Sequence, residues 1–298
     1  MPTYGKNWTD RGIIAADYIV SMANLGGGIA VFGTRDEHIF RSINYGSTWS
    51  DLGDIAEAGI YAMTYLGNGI VIAGDGLKHV FRSVNYGLNW SDLGEIASGG
   101  IYSMISLGSG IAVLGDSAEH IYRSVNYGAN WTDLGVITTG DVNCIIYLDS
   151  GIAVLGDGAR HVYRSVNYGA NWTDLGIKGG SPIYCMVYLG NNIAVFGNQE
   201  CIFRSTDSGA TWSDIGAIST GRIFSMAHLH KGIVVAGDEW GHIFHSIDYG
   251  VTWKDLGVIA TLDIFSMAYL DKGITILGDY NGHVFRSTMK GLLPMHFR

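Results

Sequence analysis

Short apolar runs recur along the chain at a nearly constant interval, each bounded by glycine. Within residues 60–94, Ile60-Tyr61-Ala62-Met63-Thr64-Tyr65-Leu66 predicts a first strand. Gly67-Asn68-Gly69 predicts a tight hairpin, where glycine supplies positive φ at little cost. Ile70-Val71-Ile72-Ala73 is apolar throughout and reads as a second strand covered on both faces. After a loop over 74–78, His79-Val80-Phe81-Arg82-Ser83 alternates in character and reads as a third strand. Asn85-Tyr86-Gly87 turns the chain, and Asn89-Trp90-Ser91-Asp92-Leu93 is the fourth strand.

This unit runs from end to end. Its tryptophans, Trp8, Trp49, Trp90, Trp131, Trp172, Trp212 and Trp253, are 41, 41, 41, 41, 40 and 41 residues apart. Such a period marks stacked supersecondary units, and four short antiparallel strands per ~40 residues make a propeller blade. Seven units closing into a ring leave no exposed sheet edge. The expected fold class is therefore all-β, a seven-bladed β-propeller of four-stranded antiparallel blades, with residues 1–298 as one domain. The chain opens inside a unit, at Tyr4-Gly5-Lys6-Asn7-Trp8-Thr9-Asp10, and its last unit stops at His283-Val284-Phe285-Arg286-Ser287-Thr288. Residues 4–12 are expected to form the outer strand of the last blade, residues 13–288 the remaining blades, and residues 289–298 a tail.

Composition refines this picture. Hydrophobic residues are 47% and charged residues 15%, so the surface is polar rather than ionic. The 44 glycines fall at regular positions and mark turns. Net charge is −9 with no Lys/Arg cluster, which excludes nucleic acid and acidic membrane surfaces as partners. No apolar run is long enough to insert in a membrane, and Met1-Pro2-Thr3-Tyr4-Gly5 lacks the regions of a signal peptide. Neither compartment nor oligomeric state follows from the sequence; an extracellular or virion-associated role is compatible with it. Three cysteines make no disulfide framework, and Cys144 and Cys185, equivalent by spacing, read as small buried hydrophobes.

Ser205-Thr206-Asp207-Ser208-Gly209-Ala210-Thr211-Trp212 and Ser246-Ile247-Asp248-Tyr249-Gly250-Val251-Thr252-Trp253 match the Asp-box, or BNR repeat, of sialidase-like propellers. The unit with Ser42, Asn44, Gly46 and Trp49 carries Asn for Asp, as do those with Asn85 and Trp90, Asn126 and Trp131, and Asn167 and Trp172. Asn keeps the acceptor, so the turn survives. The chain thus resembles a seven-bladed, non-sialidase member of that superfamily. The resemblance implies that the box is structural, set between the third and fourth strands and away from the ligand face. It does not imply an activity, because the superfamily holds sialidases, other glycosidases, sorting receptors, photosystem assembly factors and binding modules. Its sialidases resemble six-bladed rings with an arginine triad and an Arg-Ile-Pro motif, which this chain lacks. Arg41, Arg82, Arg123, Arg164, Arg204 and Arg286 recur one per blade and read as structural.

Ligand candidates lie where fourth-to-first links and second-to-third loops emerge. Val20, Tyr61, Tyr102, Asn143, Tyr184, Phe224 and Phe265 are equivalent by spacing and form one ring near the funnel. Asp75, Asp116, Asp157, Asp238 and Asp279 follow a glycine in the second-to-third loops, and His79, His120, His161, His242 and His283 open the third strands. An Asp–His pair per blade reads as a contact that fixes the hairpin, or as a repeated ligand contact. Catalysis needs one asymmetric constellation, so no catalytic residue, metal or cofactor is assigned. Arg35-Asp36-Glu37, Glu239-Trp240 and Asp279-Tyr280-Asn281 break the repeat, and Trp240 with Tyr280 makes a candidate aromatic pair. Near-identical repeats, such as 123–135 and 164–176, suit a recognition module for a glycan or surface protein. The alternatives are a protein-docking scaffold and a glycoside hydrolase. The hydrolase needs two carboxylates ~5–10 Å apart, with Asp36, Glu37, Asp238 and Glu239 as the irregular acids.

Overall fold

The computed structural model describes residues 5–288. The ten residues expected as a tail, and Tyr4 at the other end, lie outside the described residues. Seven four-stranded antiparallel sheets follow one another around a ring. Blades 1 to 6 take their strands in sequence order, the first innermost. In blade 2 these are Ile60–Gly67, Ile70–Asp75, His79–Ser83 and Ser91–Glu95. Blade 7 combines Ile264–Tyr269, Thr275–Asp279 and His283–Ser287 with the N-terminal strand Trp8–Ile13. Trp8 pairs with Ser287, Thr9 with Arg286 and Asp10 with Phe285, so the ends of the chain close the ring.

The hydrophobic clusters lie between blades rather than within them. One joins Leu25, Val31 and Ile39 of blade 1 to Ile60, Val71 and Phe81 of blade 2, with Trp90 along its edge. Close approach depends on a glycine in each second strand. A Cβ on Gly74 would stand 2.5 Å from Cγ2 of Ile101 in the next blade. Gly278 faces Ile19 in the same way across the junction of last and first blades. Hydrogen bonds cross these seams too: Ser225 Oγ donates to the Ile264 carbonyl at 2.7 Å, and Ser266 Oγ to Ile19 at 3.0 Å. Cys185 occupies the same position, its Sγ 3.1 Å from the Ile223 carbonyl. Burial pushes its thiol up to about 12, so it stays protonated and inert.

The turn before each fourth strand shares its Ser–Asx–Gly bonds across the complete copies, while the tryptophan bond described next is absent at Trp49 and Trp172. Ser83 Oγ accepts from Gly87 N–H at 3.0 Å and donates to Asn85 Oδ1 at 3.0 Å. Asn85 Oδ1 accepts from Asn89 N–H at 2.9 Å, and Trp90 Nε1 donates to the Gly87 carbonyl at 3.1 Å. Left-handed backbone is not confined to the glycine: Tyr86 has φ 57° and Gly87 φ 73°. Two bonds hold Tyr86 there. Its N–H donates to Gly69 at 2.8 Å, and its carbonyl accepts from Arg41 Nε of the preceding blade at 2.7 Å. Arg82, Arg123, Arg164, Arg204 and Arg286 reach the next blade's turn in the same manner. These guanidiniums are straps between blades.

Candidate functional site: the central funnel

The seven first strands place Val20, Tyr61, Tyr102, Asn143, Tyr184, Phe224 and Phe265 together at one mouth of the channel. Six stand second in their strands, and Tyr184 immediately precedes the blade 5 strand, which begins at Cys185. With Tyr18 and Arg35 they line a cavity of about 460 Å³. Further along the same strands lies a second cavity of about 200 Å³, walled by methionines and small residues such as Met63, Met104 and Ser103.

The aromatic wall is asymmetric. Tyr184 and Phe224 meet edge to face at 5.5 Å, Phe224 and Phe265 lie tilted at 5.0 Å, and Phe265 and Tyr18 stack at 6.1 Å. Tyr18 lies 3.7 Å from Tyr280, ring centre to ring centre. This arc spans blades 5, 6, 7 and 1. Tyr61 and Tyr102 form a separate pair at 5.3 Å. Val20 and Asn143 interrupt the ring, and Asn143 Nδ2 is spent on the Ile183 carbonyl at 3.0 Å. The Arg35 guanidinium sits over the Tyr18 ring at 4.9 Å. Coulombic attraction to Tyr18 raises its pKa. The Tyr280 hydrogen bond raises that of Tyr18.

The expected pairing of Trp240 with Tyr280 is not what forms. Tyr280 is the first loop residue after Asp279 and turns inward onto Tyr18. Trp240 is the second after Asp238 and turns outward, lining a lateral cavity of blade 6. Arg35, from one of the irregular loops, and Tyr18, which the spacing does not single out, join the funnel. Both stand where the repeat is irregular: Tyr18 occupies a link position held by Gly59 and Gly100 in the next two blades.

The Asp and His candidates also separate. Asp75, Asp116, Asp157, Asp238 and Asp279 are buried at the ends of the second strands. Asp75 Oδ1 accepts from the N–H groups of Leu77 and His79 at 2.9 and 2.8 Å. The carboxylate therefore shapes its own loop. Thr34 and Asn198 take over in blades 1 and 5, accepting from His38 and Cys201 N–H groups. The imidazoles do not pair with these acids. His79 Nδ1 lies 2.9 Å from Asp92 on the neighbouring fourth strand. His120, His161 and His242 likewise face Asp133, Asp174 and Asp255, and His283 faces Asp10. The reason is geometric: each Asp is committed to backbone N–H groups, while the imidazole projects sideways over the adjacent strand.

The irregular acids do not gather at the funnel. Asp36 lines a lateral cavity of blade 1, Asp238 is buried, and Glu239 lies 3.7 Å from Arg222. No carboxylate lines the funnel cavity. Among the described residues, no group of three or more His, Cys, Asp or Glu side chains is placed to hold a metal. No helix among them is long and apolar enough to cross a membrane.

Seven four-stranded blades around an aromatic funnel define a seven-bladed β-propeller. No family description and no curated protein matches this chain. Its fold is similar to that of solved propellers. One is YCF48 bound to D1 peptide, with a TM-score of 0.79, 15% identity and 98% of each chain covered. A second is YCF48 from Cyanidioschyzon merolae, with a TM-score of 0.77, 14% identity, and 94% of this chain and 98% of that one covered. A third is the WD40 propeller domain of Doa1, with a TM-score of 0.78, 9% identity, and 96% and 98% covered.

Proposed function

We propose that this chain is a non-enzymatic recognition propeller whose central funnel receives a segment of a protein partner. One observation carries the reading: a single asymmetric aromatic arc, from Tyr184 to Tyr280, lines a concave cavity of about 460 Å³ that holds no carboxylate. Rigid aromatic rings in a recess are strong anchors for an apolar or aromatic side chain. The solved propeller with D1 peptide bound supports a peptide as the kind of ligand.

Residues 1–298 act here as one unit, and the hairpin turns are its frame. Their Ser–Asx–Gly–Trp bonding supports a place among Asp-box propellers. The same aromatic faces would also stack on sugar rings, so a glycan is the second ligand to test. Panning a random peptide display library and screening a glycan array, side by side, separates the two. The proposal expects peptides enriched in aromatic or aliphatic residues, with enrichment abolished by Tyr184→Ala. Glycan binding without peptide enrichment would overturn it.

A further inference from the structure

Away from the funnel, blade 6 has a lateral cavity of about 270 Å³ that includes Trp240, Phe244, His242, Asp238, Asp255 and Thr220 in its lining. Trp240 is 56% exposed, although it is the only tryptophan outside the hairpin turns. The link beneath makes room for it: a Cβ on Gly221 would collide with Trp240 Nε1 and with Glu239. The equivalent loop position holds Ala118 in blade 3 and Ala159 in blade 4, so this indole wall is particular to blade 6.

The charged groups of this cavity are acceptors, beside the hydroxyls of Ser219 and Thr220. Asp238 and Asp255 are carboxylates. His242 Nδ1 lies 2.9 Å from Asp255 Oδ2. A carboxylate can only accept, so Nδ1 carries the hydrogen and Nε2 of the neutral ring presents a lone pair. In blade 1 the equivalent nitrogen of His38 is taken up by Asp54 at 2.6 Å. In blade 6 the cross-strand neighbour of His242 is Val258, which has nothing to offer it. The surroundings are acidic: burial first, then Glu239 and Asp238, raises the pKa of Asp263 close by, and Arg222 is tied to Glu239. An aromatic wall beside acceptors in a negative field selects a flat, donor-rich cation.

We propose that this cavity binds the guanidinium of an arginine on a protein partner, stacked on Trp240 and donating to His242 Nε2 and Asp255. A pyranose would use the same wall but gains nothing from the negative field. The net charge of −9 favours a basic partner segment. This site is separate from the funnel, so its failure leaves the funnel reading intact, and the reverse holds.

The test follows the indole N–H resonance of Trp240, assigned by its loss in Trp240→Phe, during titration of the whole protein. The probes are acetyl-arginine methylamide, its neutral isostere acetyl-citrulline methylamide, and methyl pyranosides. The proposal expects a saturable shift with arginine in the millimolar range and at least about tenfold weaker binding of citrulline. Val258→Lys, a change at an exposed site, should weaken arginine by about tenfold through charge alone. Tyr184→Ala in the funnel should change nothing. Citrulline equal to arginine, a pyranoside that binds instead, or no shift with arginine up to about 50 mM would each overturn the proposal.

Discussion

Asp75 and Asp279 are fully buried, and their Oδ2 atoms have no hydrogen-bond partner in the protein. Asp116 differs: its Oδ2 accepts from the N–H groups of Ser98 and Gly99 at 3.0 and 2.9 Å. Burial therefore raises the pKa of Asp75 and Asp279 above the ordinary 3.8. Folding then takes up protons, so the contribution of these groups is full below 3.8 and is lost as pH rises through the raised folded values. Thr34, the counterpart in blade 1, needs no second acceptor site filled. Asp75→Thr should accordingly stabilise the protein by ~1 kcal/mol near pH 7, with the gain shrinking towards pH 4, while Asp116→Thr should cost ~1–3 kcal/mol. Urea unfolding at both pH values checks this. His38 has the same pH dependence, although here folding favours the charged form. Its hydrogen bond to Asp51 raises its pKa above 6.5, so its contribution is present below 6.5 and is lost as pH rises through the folded value. The melting-temperature deficit of Asp51→Asn should therefore narrow from about pH 5.5 to about pH 8.5.

Strands and turns are held together at the seams between blades. Gly74→Ala drives a methyl group into Ile101 and should cost ~1–3 kcal/mol. Gly94, with φ 86° and open space around it, should cost only about 1 kcal/mol as alanine. Thermal melts of the two variants separate overpacking from backbone strain. Removal of residues 1–12 strips the outer strand from blade 7, along with the Asp10 carboxylate facing His283. It should sharply lower the melting temperature; an unchanged melt would contradict closure by the N-terminal strand. Much of this level is legible in the sequence, because a strand that must bury both faces reads as an apolar run. The third strand of blade 2 is expected and observed at His79–Ser83. Its fourth strand starts at Ser91, two residues later than the pattern predicts, because Asn89 N–H is bound to Asn85. The left-handed Tyr86 was not legible, since it depends on Gly69 and on an arginine 45 residues upstream.

Over the whole molecule, repetition builds the frame and departures from it shape the proposed binding surface. The first-strand ring was legible because equivalent positions in equal blades must meet around the axis. The contributions of Tyr18 and Arg35 depend on how one link and one loop fold over that ring. The partners of the histidines were not legible either, because a fourth-strand Asp 13 residues away outcompetes the nearer one. The hairpin face is built from the same parts in blade after blade, with Tyr86 and Tyr168 half exposed there. Those tyrosines cover the hairpin glycines of their own blades, as Tyr86 does over Gly69. The two faces can therefore be told apart by substitution. The direct measurement is calorimetric titration of a peptide selected on the wild-type protein against two variants. The double change Tyr184→Ala and Phe224→Ala should weaken binding at least about tenfold, and Tyr86→Ala should leave it unchanged. Full affinity in the funnel variant, or loss of affinity in Tyr86→Ala alone, would contradict recognition through the funnel.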